Sequence, residues 1–168
     1  MIRATFLASL MLVSGCGVGA QAPKAALELT GRVVDRANLI DEGLESQLTA
    51  RLARLARETG VQMVVVTTPS LNGQDIDTYS LRLANAWGVG DKKRNDGLML
   101  LVAPNEHKLR IEVGIGLESV MTNDLCSDII KNAILPPFSA GDLPGGIVAG
   151  TDAIVEAVKT RTVYRKAA

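Results

Sequence analysis

Two short stretches of this chain carry oxygen-bearing side chains where a turn would bring them together. Asn95 and Asp96 stand just before the apolar run 97–102, and Glu118 follows closely after Gly114 and Gly116. Asp124 comes shortly after, and Asp35 ends the phrase VVD near the start of the chain. Carboxylates and amide carbonyls are hard donors that suit Ca²⁺ or Mg²⁺ rather than Zn²⁺. No cluster of His or Cys offers a softer site. The chemistry these types point to is an oxygen-liganded divalent cation, with Asp35, Asn95, Asp96, Glu118 and Asp124 as candidate ligands.

Those residues need elements to place them. Residues 97–102 have strand composition, 104–108 form a turn cluster, and 109–113 alternate apolar with polar. A tight antiparallel return sets Asp96 opposite Gly116, because the turn fixes the register. Asn95, Asp96, Gly114, Gly116 and Glu118 then gather at one sheet edge, with glycines that permit close backbone approach. Thr122 can cap a helix whose positive end holds Asp124. Asp35 joins if VVD runs along the same edge. The competing reading is plain: Asn95-Asp96-Gly97 as turn chemistry, Asp124 as a helix-end charge, and Glu118 facing solvent.

Around the hairpin the chain alternates helix and strand signals. Leu44, Leu48, Leu52 and Leu55 have helical spacing behind a capping Asp41, and Gly60 closes that helix. Residues 61–67, VQMVVVT, read as a buried strand. Ile76, Tyr79, Leu83 and Trp87 mark a second helix ended by Gly88. A third helix places Leu125, Ile129 and Ala133 inward and stops at Pro136-Pro137. A last helix over about 145–159 carries Ile147, Ile154 and Val158. The pattern predicts a three-layer α/β/α sandwich with a mixed central sheet, in which the 61–67 and 97–102 strands are parallel neighbours. The domain is expected over 31–160, after a linker at 23–30 and before a polar tail at 161–168.

The N-terminus reads as an export signal. Arg3 precedes a short apolar run over 4–13 that is too short to span a bilayer. VSGC resembles a bacterial lipobox ending at Cys16, which would carry the lipid. The segment Ala20-Gln21-Ala22 offers an ordinary cleavage site instead, placing the signal region within 1–22. Membrane contact is then expected only through a lipid on Cys16. Cys126 lies on an apolar helical pattern and reads as a buried structural thiol.

Composition narrows the partners. Lys plus Arg and Asp plus Glu are each 18, so no basic excess points to nucleic acid. Aromatics are only 3% of residues, too few for base-stacking platforms. Gly114-Ile115-Gly116 lacks the third glycine and the βαβ context of a dinucleotide site. His107 sits in the hairpin turn with no nucleophile to assist, and Lys92-Lys93-Arg94 reads as a solvated loop able at most to steer an anion.

The order VVD, a leucine helix, TGVQMVVVT, AWGVG, NDGLMLLVA, RIEVG and GIGLE, then PPF and GD, resembles the TPM domain family. That family includes thylakoid lumen proteins linked to photosystem repair and exported bacterial proteins. The resemblance implies an α/β/α fold, an extracytoplasmic place, divalent-cation binding in some members and phosphatase activity in others. It matches the acidic positions Asp35, Asp96, Glu118 and Asp124. Family members commonly have Leu-Thr-Asp after the GIGLE-like motif, whereas here the segment is Met121-Thr122-Asn123-Asp124. Many bacterial members continue into a membrane-spanning segment, for which a lipid on Cys16 is a replacement anchor. The expected function is a Ca²⁺- or Mg²⁺-binding accessory module for assembly or repair of a membrane protein complex at the cell envelope, periplasmic or lipid-anchored. The alternative is a metal-assisted phosphatase acting on phosphomonoesters.

Overall fold

The computed structural model describes residues 27–167, with side chains up to 161. The signal region, Cys16 and the first half of the linker lie outside the described residues. Strand β1 (Val33–Asp35) leads into helix α1 (Glu42–Thr59), followed by β2 (Gln62–Thr67), α2 (Ile76–Trp87), β3 (Gly97–Ala103) and β4 (Lys108–Val113). A 3₁₀ turn (Ile115–Leu117) then precedes α3 (Asn123–Ile129), a π-helical segment (Ile130–Ile134), α4 (Leu135–Ser139) and α5 (Leu143–Ala167). The sheet order is β1-β2-β3-β4, with the first three strands parallel and β4 antiparallel to β3.

Alternation along the strands sorts the side chains into two cores. Val33, Met63, Val65, Leu98, Leu100 and Val102 face α1 and α5, where Leu48, Leu52, Ile147 and Ile154 meet them. Val34, Val64, Val66, Met99 and Leu101 face α2, against Tyr79 and Leu83. Every residue of β3 is buried, which is why its sequence is one apolar run rather than an alternation. The expected three layers and the parallel β2–β3 pair are both present.

Local chemistry explains where the helices begin. The carboxylates of Asp41 and Asp75 accept from main-chain N–H groups in the first turns of α1 and α2, and the Thr122 hydroxyl does so for α3. Pro136-Pro137 does not stop the helical path. The chain widens into the π segment and restarts as α4 with proline in its first turn, where a missing N–H costs no hydrogen bond. Helix α5 starts at Leu143 and its backbone runs on to Ala167, so the expected polar tail is mostly a continuation of the last helix.

The hairpin register differs by one residue from the expected one. Lys108 is not in the turn but pairs with Ala103, and Leu98 pairs with Val113. The shorter loop brings Asn95, not Asp96, opposite Gly116, whose N–H donates to the Asn95 carbonyl at 3.0 Å.

Candidate functional site

The parallel strands decide the place of Asp35. It pairs with Thr67, which pairs in turn with Val102, so Asp35 lies where the parallel strands end. Asp96 lies where β3 begins, roughly 20 Å away at about 3.3 Å per strand residue. Asp35 therefore does not join the other candidates. Its carboxylate accepts from the N–H groups of Leu39 (3.1 Å) and Ile40 (2.8 Å) and from the Thr67 hydroxyl, holding the loop between β1 and α1.

Asp96 is only 6% exposed, and both of its oxygens have donors from its own loop. One accepts from the Asp91 N–H at 2.9 Å, the other from Arg94 Nε at 2.5 Å. Arg94 is the partner that reading the sequence missed, since Lys92-Lys93-Arg94 resembled a solvated run. The Asp91 carboxylate accepts the N–H groups of Lys93 and Arg94, and those bonds hold its pKa below the usual aspartate value, the Arg94 bond contributing most. The Asp96 bond in turn raises the pKa of the Arg94 guanidinium.

Asn95 has φ 52°, a left-handed conformation that asparagine tolerates better than most residues. The glycines across from it serve close packing. A Cβ on Gly116 would lie 1.8 Å from the Arg94 carbonyl oxygen, and one on Gly114 would lie 2.2 Å from that of Asn95. The open end of the hairpin is a closed knot of backbone.

The expected ligands separate into different hollows. Asn95 lines one of ≈220 Å³ with Leu81 and Ile115, and Asp96 lines another of ≈400 Å³ with Arg94 and Val120. Glu118 lines a third, a cleft of ≈460 Å³ between β4 and the α3–π segment wall, together with Asn123, Cys126 and Lys131. Asp124 is exposed at the start of α3. Among the described residues, no three of His, Cys, Asp and Glu converge as a metal-holding group. The five-residue constellation thus does not fit one cation site; of the five only Glu118 lines the cleft, where Asn123 is a second donor and the carboxylates of Asp77 and Glu112 are already paired with Arg110.

That cleft is the strongest candidate surface. The side chains of Glu118, Asn123 and Lys131 make no hydrogen bond or ion pair among the described residues, and all three residues are exposed. Arg110, by contrast, is paired, its Nε with Glu112 at 2.7 Å and its Nη1 with Asp77. Its partial burial favours the neutral form, but the Glu112 bond and the charges of Glu112, Asp77 and Asp75 outweigh that and raise its pKa. Glu112 also accepts from the Ser80 hydroxyl at 2.7 Å. Burial pushes the Cys126 thiol up, against the charge of Arg110, leaving a neutral group in the cleft wall. Next to this cleft lies an apolar hollow of ≈400 Å³ lined by Leu109, Leu135, Phe138 and Leu143. Leu109 and Leu135 line both spaces, so the two are continuous along β4.

Fold and cleft define a class: a small α/β/α domain whose free polar groups lie along an edge strand. The model of the TPM domain matches residues 33–157, and the chain belongs to that family. Among solved structures it is similar to the N-terminal domain of a protein from P. gingivalis, at 32% identity and a TM-score of 0.73, covering 80% of this chain and 85% of that one. The fold is shared by the N-terminal domain of cg2496 protein from Corynebacterium glutamicum, at 21% identity and a TM-score of 0.61, covering 83% of this chain and 85% of that one. It is shared too by BA42 protein from Bizionia argentinensis, at 17% identity and a TM-score of 0.63, covering 72% and 82%. No curated protein matches this chain.

Proposed function

We propose that this TPM domain is an exported binding module of the cell envelope, serving assembly or repair of a membrane protein complex, with the β4 cleft as its working surface. The observation that carries this reading is the set of unpaired polar groups in one cleft: Glu118, Asn123 and Lys131. Carboxylates elsewhere on the hairpin already have donors: Asp96 from its own loop, Glu106 from Ser70 and Leu71, and Glu112 from Ser80 and Arg110. Ca²⁺ or Mg²⁺ binds at the cleft rim in this reading, with Glu118 and Asn123 as protein donors, Asp124 close in sequence, and water completing the shell. So few protein ligands imply weak binding, with Kd about 10⁻⁴–10⁻³ M.

Amide NMR with added CaCl₂ or MgCl₂ tests the cation. Shifts should centre on Glu118, Asn123 and Asp124, vanish in Glu118→Gln and persist in Asp96→Asn. An unresponsive rim would sink the cation reading. Export and anchoring through Cys16 are tested by detergent partitioning of wild type against Cys16→Ser; a wild-type protein that stays aqueous removes the lipid. The phosphomonoesterase alternative draws support from Lys131 and Glu118, a cation and a carboxylate that line the same cleft. It requires phosphatase turnover that Glu118→Gln abolishes.

A further inference from the structure

Resting on the cleft as working surface, we propose that its occupant is an extended peptide segment of a partner protein, which pairs with β4 as a fifth strand. The sheet ends at β4, so one side of that strand has no strand neighbour among the described residues. The ladder tells which groups face outward. The Gly114 N–H donates to the Gly97 carbonyl at 2.8 Å, and alternation then turns Glu112, Arg110 and Lys108 toward β3. The main-chain N–H and C=O of Leu109, Ile111 and Val113 point the other way, along the cleft. None of these groups has a hydrogen bond among the described residues, although Ile111 is only 7% exposed. Backbone groups so placed are a template for another strand.

The walls specify the strand that fits. The helical wall runs antiparallel to β4: Glu118 follows closely on Val113 in the chain, while Leu135 shares the apolar hollow with Leu109. Leu135 is 41% exposed there, an apolar rim with an unfilled hollow beside it. Lys131 lies one helical turn before Leu135 and has no carboxylate partner among the described residues. Charge complementarity then asks for a basic side chain at the Glu118 end, an acidic one toward Lys131 and an apolar one in the hollow. The basic and apolar positions are about four to six residues apart at ~3.4 Å per residue. A second folded copy would bring its own α3 wall into the same space, whereas a single strand needs only about 4.8 Å. The wall itself contains the π segment, a form often found at functional sites.

The test uses the ¹⁵N-labelled chain and the peptide Ac-TKVDVLVT-NH₂ at up to about 1 mM, a range that reveals weak binding. Hydrogen exchange at the Leu109, Ile111 and Val113 amides should slow at least tenfold. N-methylation of one alternate set of peptide amides should abolish binding, and the other set should be tolerated. Glu118→Lys should weaken binding at least tenfold, and a peptide with glutamate in place of its lysine should regain it. Absence of protection at the three amides overturns the proposal, as does affinity indifferent to N-methylation in either set. A peptide-free dimer that protects the same amides also overturns it, in favour of a second copy. Peptide pairing should survive EDTA. Cation shifts without strand protection therefore reject the peptide alone, and protection without cation shifts rejects the cation alone.

Discussion

Asp96 and Glu118 flank the same hairpin and look interchangeable as ligands, yet their surroundings differ completely. Asp96 is buried in a knot where the 91–96 loop folds against Gly114 and Gly116, and its oxygens are taken by Asp91 and Arg94. Glu118 is exposed at the rim of a cleft, without a partner among the described residues. The difference teaches that a carboxylate is available for a ligand only where its own loop does not already supply donors. A short loop that turns back on an aspartate consumes it; a carboxylate at a cleft rim stays free.

The comparison breaks most decisively at the glycines. Gly116→Ala sets a Cβ against the Arg94 carbonyl, which cannot rotate away, and should cost about 2–3 kcal/mol in urea denaturation. A neutral result would mean that the knot is loose. Asp96→Ala should cost about 1–2 kcal/mol, because the Asp91 N–H loses its acceptor. Little is added for the Arg94 pair, since that guanidinium is more than half exposed. Its cation and peptide responses at the cleft should match wild type; losing them would reunite the two regions.

Acid sharpens the contrast further. Bonds from Arg94 and Lys93 lower the Asp91 pKa, and the Leu71 N–H, then the Ser70 hydroxyl, lower that of Glu106. A lowered folded-state pKa means that the unfolded chain takes up the proton first. The stabilisation is therefore complete above the unfolded values of about 3.9 and 4.3 and is lost as pH falls through the folded ones. Stability should decline below about pH 4, and Asp91→Asn should flatten that limb. Smallest of all, Glu118→Gln should change stability by no more than about 0.5 kcal/mol while removing the cation shifts. A large loss of stability would mean that Glu118 is structural after all.

Much of the fold was legible because its signals are local. Asp41 and Thr122 cap helices where short polar side chains precede apolar periodicity, and the β3 run is long enough to read as a buried strand. The hairpin was legible, but its register was not, because one residue at the turn boundary, Lys108, moves every cross-strand pair. Pro136-Pro137 misled because proline ends a helix or begins one, and the sequence does not say which. Of the candidate site, Glu118 was legible as a free carboxylate, while Asn123 and Lys131 were not singled out. Their pertinence depends on α3 and the π segment lying beside β4, a contact between distant parts of the chain.

The sequence by itself determined the strands, the main helices, their order and the two-faced sheet, since residue type and short-range periodicity dictate these. Only the tertiary structure decided which carboxylates are free. Strand direction carried Asp35 to the far edge, loop closure tied Asp96 to Arg94, and helix placement opened the cleft beside Glu118. Hydrogen-bond partners are assigned by three-dimensional proximity, and no local pattern encodes that assignment.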